Sequence, residues 1–248
     1  LFDPDSPDCD TKFCKTNDLT YQINDVVTST TTINSLPHSL GRVYIEDKRD
    51  LNYLIKNNQR TLQQISTPPK VLTQRYWDAN GWWGDQGNTS QCVGYSWSHW
   101  LEDGPIQQSG IPPIIKPFDI YENAQKLDQW IGENYEGTSV RGGVKYLKNI
   151  GKVKSYYWAF DVQTLSETIL KLGPVVVGTN WYNGMFYPNK NGLIKISGQM
   201  VGGHAYLING VDTKTKQFRI KNSWGKSWGK GGHAFISFND MSRLIKEN

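Results

Sequence analysis

The hydrophobic period of the chain changes once, near Gly151, and this change constrains the fold more than any other feature. Before it, apolar residues recur at helical spacing. Val93, Trp97, Trp100 and Leu101 place one apolar face on a helix that opens at Cys92. Asp119 and Glu122 read as a capping box ahead of Ala124, Leu127, Trp130 and Ile131. Ser139 caps a further predicted helix carrying Val144, Leu147 and Ile150, with Gly151 as its stop. After Gly151 the pattern turns to short strands between Gly and Asn/Asp turns. They are predicted at 152–159, 174–181, 192–196, 204–211, 217–222 and 232–238, interrupted by one helix over 162–172. A helix-rich half followed by a strand-rich half is an α+β arrangement.

The first 68 residues stand apart. They are rich in Asp, Asn, Ser and Thr, including the run Thr28 to Thr32, and such a stretch builds no core of its own. Residues 1–40 are expected to form an extended arm, and 47–62 has helical character through Leu51, Leu54 and Ile55. Pro68-Pro69 marks the boundary. The predicted organisation is an N-terminal polar arm or pro-like extension over 1–68 and a folded domain over 69–248. Within 248 residues that leaves ample chain for a buried core. The first ten residues, LFDPDSPDCD, have neither the basic nor the apolar region of a signal peptide, and the chain begins at Leu1, as a processed product would. A net charge of +4 with both signs interleaved argues against a nucleic-acid partner. No apolar run reaches the roughly 18 residues of a membrane span. No compartment can be read from the chain.

Three cysteines, Cys9, Cys14 and Cys92, exclude a densely disulfide-stapled domain. Cys9 and Cys14 could close one small loop or remain free, and no His or further Cys lies near them to complete a zinc site. Cys92 is left without a partner. At a helix N-terminus the macrodipole favours its thiolate, and its own N–H is free to donate to an oxyanion. Gln86, six residues earlier on a Gly-containing turn, could supply a second donor. The same segment also fits a buried cysteine and a turn glutamine. Downstream, Gly202-Gly203-His204-Ala205 leads an apolar strand, and Asn222-Ser223-Trp224-Gly225 follows another. An Asn carbonyl there can accept the His204 Nδ1–H and turn Nε2 toward the thiol, with Trp224 shielding that bond.

Taken together, these segments resemble the papain family of cysteine peptidases over roughly residues 70–240. The resemblance rests on Gln86, Cys92 six residues on, Gly203-His204-Ala205, Asn222-Ser223-Trp224-Gly225, and the closing Gly232-His233-Ala234-Phe235-Ile236. It implies a helical lobe over 69–151, an antiparallel β-barrel-like lobe over 152–248, and a cleft between them that binds an extended peptide. The roles it implies are nucleophile for Cys92, base for His204, orienting residue for Asn222 and oxyanion donor for Gln86. It also places Gly142 and Gly143 against the substrate backbone, and Gly178, Gly202 and Ala205, with Trp224, along the substrate site. The small residues imply a roomy pocket for a bulky apolar side chain. No metal or cofactor is called for.

Val93 stands where the family usually has Trp, and Gly203 where it commonly has Asp. The usual disulfide cysteines of the helical lobe are missing, which points to a bacterial or viral branch, with virus-particle association as one setting. The pro-segment motif of the family is not visible in residues 1–68. The expected activity is an endopeptidase acting through a thioester on Cys92, with a thiolate persisting below pH 6. Two other readings remain: a non-catalytic papain-fold component of a larger particle, and an acyl-transferase using the same Cys-His-Asn site. The expected partner is a peptide or protein substrate, and the arm is expected to cover the cleft, dock on the lobes or hold an anchoring partner.

Overall fold

Cys92 opens the helix around which the fold is organised, α1 (Cys92–Asp103); it buries Val93, Trp97 and Leu101 of the predicted face, leaves Trp100 half-buried, and also buries Ser96, Ser98, His99, Glu102 and Asp103 on its other sides. The computed structural model describes residues 36–58, 72–77, 82–105, 113–128 and 135–247. Helix α2 (Pro117–Gln125) begins two residues before the predicted capping box. Proline at the first helical position replaces the side-chain cap, since its missing N–H is one the helix leaves unpaired. Trp130 and Ile131 lie outside the described residues. Helix α3 (Val140–Asn149) is capped by Ser139, whose Oγ accepts from the Gly142 N–H. Trp97, Val144, Leu147, Leu101 and Ile120 join these three helices in one core.

Helix α4 (Val162–Lys171), capped by Asp161, precedes a sheet built from β1 (Gln74–Tyr76), β2 (Val175–Tyr182), β3 (Met200–Asp212), β4 (Gln217–Lys221) and β5 (His233–Ser237). All pairings are antiparallel. Strand β3 is the spine: β2 lies along its first part, β1 along its last residues, and β4 along its other edge. Strand β5 then closes the path beyond β4. The sheet is not closed, so the expected barrel is met only loosely, and a second core forms from Trp181, Tyr206, Phe218, Trp224 and residues of α4.

Two predicted strands are not strands. Residues 152–159 use their backbone on the N-terminal segment instead: Trp158 donates to Tyr53 O (2.7 Å) and accepts from Ile55 N (3.0 Å). Residues 192–196 make only a bridge from Leu193 to Phe235. The sequence reading also missed α5 (Phe238–Lys246). Its signal was present in Ser237, which caps the Asp240 N–H, and in Met241 and Leu244, which point into the core.

Residues 36–58 and the lobes that follow belong to one compact unit, 36–248. The helical character predicted for 47–62 resolves into 3₁₀ turns over Lys48–Tyr53 and Ile55–Asn57, anchored by Arg141 pairing with Asp50 and Asp47. The run Thr28 to Thr32, Cys9, Cys14 and Pro68-Pro69 lie outside the described residues. Among the described residues no helix is long and apolar enough to cross a membrane.

Candidate active site

The turn before α1 and the loop after β4 are stitched together by backbone and side chain. Gln86 N donates to Ser223 O (2.8 Å), and Ser223 Oγ donates to Gln86 Oε1 (2.6 Å). With its carbonyl thus held, the Gln86 amide aims its Nε2 at two carbonyls, Thr89 O (2.6 Å) and Ser39 O (3.2 Å). Cys92 is fully buried at the first position of α1. The N–H of Ala205, the neighbour of His204 on β3, donates toward its sulfur. The tertiary structure therefore brings together Gln86, Cys92, His204 and Asn222.

His204 Nε2 donates to Asn222 Oδ1 at 2.8 Å, the reverse of the expected pairing through Nδ1. Nδ1 is buried and has no partner among the described residues, so it is the nitrogen left to exchange a proton. Asn222 Oδ1 also accepts from Ser223 N (2.8 Å). The imidazole stacks on Trp224 at 4.6 Å and meets the Trp181 ring edge-on at 4.9 Å. Burial in this aromatic box lowers the His204 pKa to about 4, against the pull of the Asn222 bond.

Residues 38–43 run between Gly203 on one side and Thr138 on the other, with one isolated bridge from Arg42 to Thr138. Gly41 N and Arg42 N both donate to Gly203 O (3.2 and 3.0 Å). Thr138 N donates to Gly41 O (3.0 Å) and Thr138 O accepts from Val43 N (2.9 Å). His38 stacks on the face of Trp224 at 4.5 Å, and Trp224 Nε1 donates to Ser39 O (3.3 Å). A Cβ on Gly41 would overlap the Ser90 carbonyl, so the segment fits only because that residue is glycine. Under this cover burial pushes the Cys92 thiol up to about 12, although the Ala205 and Val93 amides and the Arg42 guanidinium act the other way. This is opposite to the low pKa expected from the helix N-terminus alone: desolvation outweighs the dipole.

The other predicted site residues divide. Leu40 packs against Gly202 and the Arg42 side chain against Gly178, so both glycines line the groove. Ala205 is buried beside Cys92, and Trp224 forms the stack described above. Gly142 and Gly143 do not reach the groove. Their amides bond Ser139 within α3, and their Cα atoms make room for Ala124 and Trp97. The backbone that meets an extended segment is instead that of Gly137 and Thr138. Gly137 has φ +100°, and a Cβ on it would overlap Gly41 O. Its only sequence signal was a glycine just ahead of the Ser139 cap.

Three histidines, His99 and His204 buried and His233 half-buried, are held neutral. Burial lowers His204 to about 4 and His233 to about 3, and places His99 well below the ordinary 6.5. His99 Nε2 must stay unprotonated to accept the Gly84 N–H (3.2 Å). An unfolded chain takes up these protons and the folded one refuses them, so their contribution to stability is present above about pH 6.5 and is lost as pH falls toward 4. Thermal denaturation is expected to show Tm falling steadily from pH 7 to pH 4.5. A flat profile would mean that the three imidazoles titrate freely.

A family profile described as papain family cysteine protease matches residues 115–247, which include His204 and Asn222. An uncharacterized peptidase C1-like protein of Acanthamoeba polyphaga mimivirus is 22% identical over 216 residues, covering 69% of this chain and 66% of that protein. Cathepsin B-like cysteine proteinase 3 of Ostertagia ostertagi is 38% identical over 88 residues, covering 34% of this chain and 49% of its own length. The chain thus spans less than two thirds of these curated relatives. Among solved structures, xylellain, a cysteine protease from Xylella fastidiosa, shares the fold with a TM-score of 0.62 at 21% identity, covering 82% of this chain and 91% of that one.

Proposed function

The chain belongs to the papain family of cysteine proteases, and from that footing we propose that it is an endopeptidase working through a thioester on Cys92, with the segment around residues 38–43 holding it latent. The observation that carries this reading is the Ser39 carbonyl: an extended backbone lies in the groove, and Gln86 Nε2 donates to one of its peptide oxygens. A donor that reaches a peptide carbonyl there is suited to an oxyanion formed at the same place.

In the released enzyme the Cys92 proton rests on His204 Nδ1, and the thiolate attacks the scissile carbonyl carbon. The carbonyl oxygen becomes an oxyanion held by the Gln86 amide and the Cys92 N–H. Collapse expels the amine, which takes the proton from Nδ1, and leaves a thioester. Water then attacks the thioester, giving one proton to Nδ1; collapse breaks the C–S bond, returns the Cys92 thiolate beside the protonated His204 and releases the acid product. Asn222 holds Nε2–H throughout, so the ring keeps one tautomer and one orientation.

The test is hydrolysis of a quenched peptide library by the full-length chain, by Gly41→Val, and by Gly41→Val with Cys92→Ala. Valine at 41 cannot coexist with the Ser90 carbonyl, and because that neighbour is backbone the segment must lift. Activity is expected to rise about tenfold or more on Gly41→Val, and to vanish with Cys92→Ala. Loss of activity on Gly41→Val would overturn the latency reading. Hydrolysis that survives Cys92→Ala would overturn the assignment of the nucleophile.

A further inference from the structure

Away from the groove, the far end of α1 closes on a fully buried ion pair. Asp103 Oδ1 accepts from Lys221 Nζ at 2.9 Å, with side chains 0% and 1% exposed. The other oxygen, Asp103 Oδ2, accepts from Asn209 Nδ2 at 2.8 Å. Each partner sits on an element that carries one residue of the site. Cys92 opens α1 and Asp103 closes it. His204 and Asn209 share β3. Lys221 ends β4, and the next residue is Asn222. One carboxylate therefore ties together the three elements that deliver nucleophile, base and orienting amide.

The surroundings make this a rigid joint. Asn209 is oriented by Trp77 O, which accepts from its Nδ2 (2.9 Å), and by Arg219 Nε, which donates to its Oδ1 (3.0 Å). The Lys221 ammonium lies 4.6 Å from the Trp83 ring centroid. His99 and His233 also face Lys221, and its charge helps keep both neutral. A buried ion pair costs desolvation that apolar side chains of the same volume would avoid, so cohesion alone does not account for it. It does impose direction: the carboxylate accepts the two bonds only when α1, β3 and β4 stand in one mutual setting. Catalytic groups need placement within about 0.5 Å.

We propose that Asp103, acting through Lys221 and Asn209, is a positioning residue that sets α1 against β3 and β4 and thereby aligns Cys92 with His204 and Asn222. This rests on the peptidase reading above. The experiment uses the full-length chain carrying Gly41→Val as parent. Asp103→Asn combined with Lys221→Met removes both charges of this pair together. Asn209→Ala cuts the tie to β3, along with the bonds of Asn209 to Trp77 O and Arg219 Nε, and leaves the ion pair, so it decides the matter if the double variant does not fold. In each folded variant kcat is expected to fall, by about 30-fold for the double variant and about fivefold for Asn209→Ala, with KM within about threefold of the parent. The pH profile of Cys92 alkylation is expected to shift its lower limb upward, because a misaligned His204 no longer stabilises the thiolate. Folded variants with the parent's kcat and alkylation profile would overturn the proposal. If the parent hydrolyses no peptide, the peptidase reading fails, while the alkylation profile still decides the positioning role.

Discussion

Replacing Gly41 by valine is expected to speed alkylation of Cys92 by iodoacetamide at pH 6 by about 10³-fold or more. In the covered groove the thiol is pushed up to about 12 by burial, so at pH 6 almost none of it is thiolate. The helix N-terminus, the Ala205 and Val93 amides and the Arg42 guanidinium all favour the anion, but they act on a desolvated sulfur. Lifting the segment lets water reach the site, reduces the desolvation that dominates both Cys92 and His204, and lets the pair exist as thiolate and imidazolium. The measurement is the alkylation rate from pH 4 to 10 in both proteins, followed by mass. The full-length chain should show little reaction until strongly alkaline pH, and the variant a plateau that extends below pH 6. A variant that titrates once, near 8.5, would show that His204 does not couple to the thiol.

In the same released protein, Gln86→Ala is expected to lower kcat by about 10²–10³ with little change in KM. The side chain meets a peptide carbonyl through Nε2 while Ser223 Oγ holds its Oε1, so the donor is oriented before substrate arrives. Gln86→Glu makes a sharper control. It retains an acceptor for Ser223 but places an oxygen where the donor stood, and it should lose at least as much rate. Single-turnover kinetics with a chromogenic peptide separate the acylation step from binding. Activity retained in Gln86→Ala would leave the Cys92 N–H as the sole oxyanion donor and remove Gln86 from the mechanism.

How much of this was legible beforehand depends on the distance over which each feature is decided. The apolar face of α1, the Ser139 cap of α3 and the glycine turn after Gln86 are set within a few residues, and the sequence displays them. The residues brought together at the site were also legible, because their chemistry restricts which residue types can stand there. Helix α5 was equally local, and its Ser237 cap was overlooked rather than hidden. The two failed strands had suitable residues but no long partner, since neighbours in space, not propensity, complete a sheet.

By itself the sequence determined the α+β order of the lobes, the chain positions of Gln86, Cys92, His204 and Asn222, and the family to which their spacing belongs. Only the tertiary structure decided that His204 presents Nε2 to Asn222, that Gly137 and Thr138 rather than Gly142 and Gly143 meet an extended backbone, and that residues 38–43 lie across the groove. It alone decided the sign of the Cys92 shift and the meeting of α1, β3 and β4 at Asp103. The physical reason is common to all of these. Each depends on contact with, or desolvation by, segments far away in the chain, and neither is carried by a local pattern of residues.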